Sequence, residues 1–306
     1  MSTATRTDVR IPTQGGPRRR PLVAVTRRFR FLERGNLATL AVIAVIIVWC
    51  LAPFYWMLVL AFRNTAFTFD TTPWFSHVTW SNFRYAFDTT NNTFGRSLIN
   101  SLLIGACVTA LAILFGVFAG YALARLVFRG KGLVLAAILG ASMFPGVAIL
   151  TPLFQLFTGF HWLGTYQALI LPEISFSLPL AVYTLTSFFS EMPWDLEEAA
   201  RVDGASPGKA FRLVILPLAA PAIFTTSILV FLASWNEYLL SSVLSNGNNK
   251  VAPSTVAIAN FTAGPHIVPY TQTMAAGIVV TIPLVIVVLF FQRRIVGGLT
   301  AGGVKA

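Results

Sequence analysis

Three observations predict an all-α integral membrane protein with six transmembrane helices and both termini in the cytoplasm. They are the composition, a set of long apolar runs, and the way basic residues sort between alternate segments. Of 306 residues, 56% are hydrophobic and only 11% charged. A soluble domain of this size carries more solvating groups on its surface, so the chain belongs in a bilayer.

A helix needs about 20 mostly apolar residues to cross the hydrocarbon core. Six runs meet that length, at 37–61, 98–124, 133–157, 166–189, 218–240 and 273–291. Outer-membrane barrels are written instead as short alternating strands, and an open sheet edge in lipid leaves its backbone unpaired.

The net charge of +11 is distributed unevenly. Nine arginines precede the first run, Arg125, Arg129 and Lys131 follow the second, Arg201, Lys209 and Arg212 the fourth, and Arg293, Arg294 and Lys305 the last. Only Arg63, Arg84, Arg96 and Lys250 fall on the other side. The positive-inside rule makes the basic side cytoplasmic, where a polybasic arm faces anionic headgroups of membrane lipid; nucleic acid is not the expected partner. The first run starts far from Met1 and lacks an Ala-x-Ala exit, so it reads as an uncleaved span. Cys50 and Cys107 fall inside spans, where they pack as small apolar residues rather than form a disulfide.

The resulting organisation is a flexible basic cytoplasmic tail at 1–36, one six-helix membrane domain at 37–292, and a cytoplasmic C-terminal tail at 293–306. The outer segment 62–97 holds Trp74, Trp80, Phe83, Tyr85 and Phe87, with room for a short surface helix. The outer segment 241–272 contains turn-forming SNGNNK and AGPH.

The cytoplasmic segment 190–217 breaks the charge pattern. Glu191, Asp195, Glu197, Glu198 and Asp203 outnumber Arg201, Lys209 and Arg212, so this is the inner surface least suited to anionic lipid and the one suited to a protein. Its spacing predicts two short helices. Asp195 caps the first, with Glu198 completing a capping-box pair, and Gly204 closes it in a left-handed conformation. Ser206 caps the second with Pro207 in its first turn, and Pro217 marks the junction with the fifth span. Leu196, Ala199, Ala200 and Asp203 share one face, where small alanines let a partner approach. An ordinary amphipathic connector with a solvated face fits the same pattern.

The run EAARVDGASPGKAFRLVILP, 198–217, resembles the EAA loop of binding-protein-dependent ABC importer permeases: E-A-A, three residues, G, nine residues, then I-x-L-P. Glu198, Ala199, Ala200, Gly204, Leu216 and Pro217 match; Val214 stands for the Ile, and Asp203 and Phe211 resemble the carbohydrate-uptake branch. With six spans and SWNEY at 234–238, nearly the whole chain resembles the MalG-type subunits of ABC sugar importers, trehalose importers in particular. That resemblance implies a type I importer permease fold in the bacterial cytoplasmic membrane, and a sugar cargo such as the disaccharide trehalose. It also implies a second, MalF-type permease subunit, two ABC ATPases that hold ATP and magnesium, and an extracytoplasmic sugar-binding protein or lipoprotein. Glu198 would contact the ATPase, Ala199 and Ala200 would allow close approach, and Gly204 would permit the turn. The loop before the last span, 241–272, would reach into the binding protein.

No cofactor is expected on this chain. Gly130-Lys131 is followed by Gly132 and Gly208-Lys209 by Ala210, so neither completes a phosphate-binding G-x-x-x-x-G-K-[ST]. A membrane enzyme is disfavoured because His77, His161 and His266 lack metal spacing and no nucleophile-base pair emerges. An ion-coupled secondary transporter or channel, which needs no EAA-like loop, is the alternative class.

Glu173 and Glu237 are the carboxylates inside spans. Burying either costs several kcal/mol unless it is paired or wet, so each lines the substrate pathway or reaches water near the outer interface. Pro172 and Pro179 flank the first in LPEISFSLP and free carbonyls for a cavity. Trp235, Asn236 and Tyr238 combine stacking and polar groups as sugar sites do, or anchor at the interface. Gly116 and Gly120 form a GxxxG spacing for close contact within the chain or with another subunit.

Overall fold

The structure, a computed structural model, describes residues 36–88, 93–261 and 269–301, with side chains described only within 39–291. The basic arm and the AGPH turn expected at 263–266 lie outside the described residues. Among those described, every regular element is helical apart from one bridge between Arg63 and Val78. The helices are α1 (Asn36–Phe62), α2 (Ser81–Phe87), α3 (Phe94–Arg125), α4 (Lys131–Ser142), α5 (Gly146–Gly159), α6 (Tyr166–Glu191), α7 (Asp195–Val202), α8 (Pro207–Ala210), α9 (Leu216–Trp235), α10 (Leu239–Leu244), α11 (Ser254–Phe261) and α12 (Tyr270–Ala301).

Five segments are long and apolar enough to cross a bilayer: Thr39–Phe62, Phe94–Arg125, Tyr166–Glu191, Pro207–Trp235 and Tyr270–Phe291. The run expected as one helix at 133–157 is instead two, α4 and α5, bent by 86°. Pro145 causes the break. It has no N–H and disfavours a helical Phe144, so the chain makes tight bonds from Met143 to Gly140 and from Phe144 to Ala141, then restarts. The spans number six only if this bent pair counts as one.

The chain divides into two compact units, Met1–Pro53 and Phe54–Ala306. From Thr39 to Pro53 every side chain is exposed, including Trp49 and Val48, an apolar face that suits lipid or another membrane chain. At the other end α12 continues through 293–301.

In the second unit α3 lies against α6 and α9. A Cβ on Gly116 would stand 2.9 Å from the Ala181 Cβ, and one on Gly120 would stand 3.0 Å from the Leu185 Cβ and 3.1 Å from the Thr186 nitrogen. The GxxxG contact is therefore internal. Only glycine lets these backbones approach so closely. Ile104, Val108 and Ala112 of α3 join Leu169 and Ala181 of α6, Val230 of α9 and Phe157 of α5 in one core.

The segment after α1 folds around Arg63, which is fully buried. Its guanidinium donates to the carbonyls of Asp70, Thr72 (2.5 Å) and Trp74 (3.4 Å) and faces the Trp56 ring at 5.7 Å. The Thr72 backbone N–H and hydroxyl hold the half-buried Asp70 carboxyl below its usual range. The surface helix expected here is α2; Phe62 packs edge-on to Trp80 at 4.9 Å. Cys50 and Cys107 are free thiols.

Candidate functional site

Two places in the second unit gather the residues singled out by sequence. The first is the hairpin of α7 and α8. Pro193 ends the irregular stretch after α6, and Asp195, Glu197 and Glu198 occupy the first turn of α7, where the positive end of the helix dipole favours acids. Asp195 makes no capping bond, contrary to the capping-box expectation. Trp194 is the cap residue instead: its carbonyl accepts from Glu197 N (3.0 Å) and Glu198 N (3.2 Å) while its ring lies under the Arg125 guanidinium at 4.5 Å. That stacking fixes the start of the helix one residue earlier.

The far end of α7 follows the sequence reading closely. Gly204 has φ 84°, its N–H donates to the Arg201 carbonyl (3.0 Å), and the Ala205 N–H donates to that of Ala200 (2.9 Å). This is a Schellman closure, which a left-handed glycine permits without strain. Ser206 then accepts from the Lys209 N–H (3.4 Å) and Pro207 opens α8.

Pro217 stands in the first turn of α9, at the junction expected for it. From Pro207 to Trp235 the helix is continuous, passing through a π turn at Phe211–Ile215 in which the Leu216 N–H reaches the Phe211 carbonyl. The wider turn shifts the register so that Pro217 falls in the first turn of α9, where its missing N–H matters least.

Within the hairpin the motif residues divide. Glu198, Ala199, Asp203 and Gly204 are exposed, whereas Ala200 is buried and turned away from the outer face it was expected to share with Ala199. Phe211 is half-buried with its ring 4.5 Å from that of Tyr121; Leu216 is half-buried and Pro217 exposed. Sequence reasoning missed the residues that hold the hairpin from behind: Tyr121, Arg125, Trp194 and Glu197. The signal was available in part, since Glu197 is an acid three residues before buried Ala200 and four before Arg201, which it pairs with at 2.9 Å.

The second place surrounds Glu173 in the middle of α6. Its carboxylate is 3% exposed, with Oε2 accepting from the Ser234 hydroxyl and Oε1 from that of Ser241 (3.4 Å). Glu173 lines a cavity of about 250 Å³ with Ser177, Phe176, Ser234, Glu237 and Leu240. Buried carboxylates need such donors, because an unbonded one costs several kcal/mol. Glu173 is buried in the wall of this pocket.

Glu237 shares the cavity but has a local task as well. Both its oxygens accept backbone N–H bonds at the start of α10, from Leu240 (2.8 Å) and Ser241 (3.0 Å). Trp235, Asn236 and Tyr238 do not join it. Trp235 is buried beside Phe231 at 5.6 Å, Asn236 closes α9 through the Leu232 carbonyl, and Tyr238 is exposed. Ser177, Ser234 and Ser241 were overlooked because lone serines in apolar runs are common and carry no spacing signature.

Residues 112–300 match the family described as the binding-protein-dependent transport system inner membrane component. The trehalose transport system permease protein SugB of Mycobacterium tuberculosis is 46% identical over 84% of this chain and 93% of its own length. The trehalose/maltose transport system permease protein MalG of Thermococcus litoralis is 39% identical over 84% and 92%. The sulfoquinovosyl glycerol transport system permease protein SmoH of Agrobacterium fabrum is 38% identical over 83% and 89%. Among solved structures, a bacterial ABC transporter involved in import of the polysaccharide alginate aligns with TM-score 0.69 at 21% identity, covering 84% of this chain and 94% of its own, which shows a shared fold. With more than half of its length matched by the family and relatives of such identity along most of it, the chain belongs to the inner membrane components of binding-protein-dependent transport systems.

Proposed function

We propose that this chain is one of two permease subunits of an ATP-driven importer that moves a disaccharide of the trehalose type into the cytoplasm. The observation that carries the proposal is the α7–α8 hairpin: Glu198, Ala199, Asp203 and Gly204 stand exposed together on a helix closed by a left-handed glycine. Both termini and the hairpin face the cytoplasm in this reading, following the sorting of basic residues. The hairpin seats on an ATPase subunit, two of which hold ATP and magnesium. The second permease subunit is of MalF type, and a sugar-binding protein delivers cargo from outside.

ATP-driven closure of the ATPases displaces α7, and the continuous helix from Pro207 to Trp235 carries that displacement to the far end of α9, beside the cavity. Packed helices pass on such motion because they hold discrete arrangements rather than deform. At the cavity, Glu173, Ser177 and Ser234 supply hydroxyl-binding groups and Phe176 an aromatic ring in the same lining, the chemistry of a sugar contact. Pockets that enclose a drug-sized ligand run about 300–1,000 Å³, so a cavity of this size takes part of a disaccharide and the second subunit supplies the rest.

The test is reconstitution of the tagged chain with its co-purifying subunits and binding protein, followed by ATP-dependent uptake of labelled trehalose, maltose and sucrose. Uptake that requires ATP and favours trehalose is the expected result. Uptake that persists without ATP, or follows an ion gradient, would place the chain among secondary transporters; ATP-dependent uptake of another sugar alone would overturn the trehalose assignment.

A further inference from the structure

The hairpin is covalently joined to the chain at both ends, through residues 192–194 to α6 and through α8 and the π turn to α9. A further attachment is not covalent: it is a cluster of side chains at the end of α3. The Tyr121 hydroxyl donates to Glu197 Oε1 at 3.0 Å, and Arg201 Nη2 donates to the same oxygen at 2.9 Å. One turn along α3, Arg125 Nη2 donates to the Met192 carbonyl at 2.6 Å while its guanidinium lies over the Trp194 ring at 4.5 Å. The Tyr121 ring is itself held between Phe211 at 4.5 Å and Phe189 at 5.9 Å.

These contacts differ in kind from the exposed motif. Glu197 is 3% exposed and Arg125 is 4% exposed, so a charged side chain from each of two elements is withdrawn from water at one junction. Such burial is costly unless the bonds are kept, and losing one partner strands the other. The junction therefore resists sliding of α7 over the end of α3.

Beyond the junction α3 has little slack. Gly116 and Gly120 bring its backbone against Ala181, Leu185 and Thr186 of α6, the helix that carries Glu173. A displacement of α7 that drags the end of α3 is thus delivered to α6 through close-packed backbones.

We infer that Tyr121, Arg125 and Glu197 are positioning residues that clamp the docking hairpin to α3, giving the ATPase stroke a side-chain route through α3 to α6 and the Glu173 cavity, besides the two covalent connections. The inference rests on the reading of the hairpin as the ATPase seat. The clamp does no chemistry and touches no cargo. It sets how much of the hairpin's displacement reaches the helices.

The experiment uses the full reconstituted transporter and measures sugar transported per ATP hydrolysed on the assembled fraction, for Tyr121→Phe, Glu197→Ala and Glu197→Gln. Residues on a coupling route change coupling by about 0.5–2 kcal/mol, so the ratio should fall by between about twofold and thirtyfold in Tyr121→Phe and Glu197→Ala, with ATPase subunits still bound. Glu197→Gln should retain most of the ratio, because its amide oxygen still accepts from Tyr121. A merely structural role lowers the yield of complex and leaves the ratio unchanged. An unchanged ratio in Tyr121→Phe and Glu197→Ala overturns the inference, whereas absence of any ATPase from the wild-type preparation overturns the underlying reading instead.

Discussion

Two carboxylates, Glu173 and Glu197, are equally buried, each 3% exposed, yet their surroundings differ in every other respect. Glu173 meets only serine hydroxyls and borders open space; Glu197 meets a tyrosine hydroxyl and an arginine and borders none of the cavity. A carboxylate held by neutral donors at the wall of a cavity is within reach of a polar ligand. Glu197 takes both of its bonds on Oε1, and its Oε2, without a hydrogen-bond partner among the described residues, is buried away from that cavity. Burial alone therefore does not mark a binding site; the identity of the donors and the room beside them separate a place for cargo from a joint between helices.

The two regions should fail differently. The largest effect is expected on the hairpin surface. Proline fixes φ near about −65° and cannot adopt the +84° of Gly204, so Gly204→Pro should abolish uptake. Glu198→Lys, at an exposed position, should do the same with membrane insertion intact. Normal uptake by both variants at normal expression would remove the hairpin from the coupling route.

Next is the close contact that joins the regions. Gly116→Leu drives a branched side chain into Ala181 and Leu185, and overpacking of this kind costs about 1–3 kcal/mol. The thermal unfolding midpoint of the detergent-purified complex should fall. An unaltered midpoint would mean that α3 and α6 do not meet at this face.

A more selective loss is expected at the cavity. Glu173→Ala should raise the KM for sugar by about tenfold, roughly the loss of one hydrogen bond, while leaving sugar transported per ATP intact. Glu197→Ala should show the reverse pattern. Identical signatures from the two would erase the distinction between them.

The smallest effect concerns the loop around Arg63. The folded state lowers the Asp70 pKa, so the stabilisation from Asp70 is present above its ordinary value of 3.8 and is lost as pH falls through the lower folded value. Limited proteolysis within 62–80 should increase only in that acid range, and Asp70→Ala should abolish the acid dependence.

Much of this was legible in the sequence where a single residue dictates backbone geometry. Gly204, Ser206 and Pro207 fixed the turn between α7 and α8 because each has one conformational role at that place. The long spans were equally clear, since length and apolarity suffice to define them. The bend at Pro145 was not drawn, although proline is a strong signal, because an apolar run of ordinary length conceals a break whose two halves are both helical.

At the candidate site, the exposed acids and glycine followed from pattern, but the inward turn of Ala200 and the partners of Glu197 did not. Tyr121 and Glu197 are far apart in the chain, and tertiary packing alone brings them to 3.0 Å. The serines around Glu173 are in the same position: Ser234 and Ser241 come from α9 and α10, and nothing local to either announces a carboxylate.

The central claim is that the hairpin seats on an ATPase, and the most direct measurement is crosslinking from Ala199→Cys, an exposed position on α7, in a chain whose Cys50 and Cys107 are replaced by serine. In the purified complex a short bifunctional reagent should yield a species containing this chain and one ATPase subunit, and a water-soluble maleimide should be excluded from the thiol. Free labelling by the maleimide with the ATPase bound, and no such crosslink, would contradict the account.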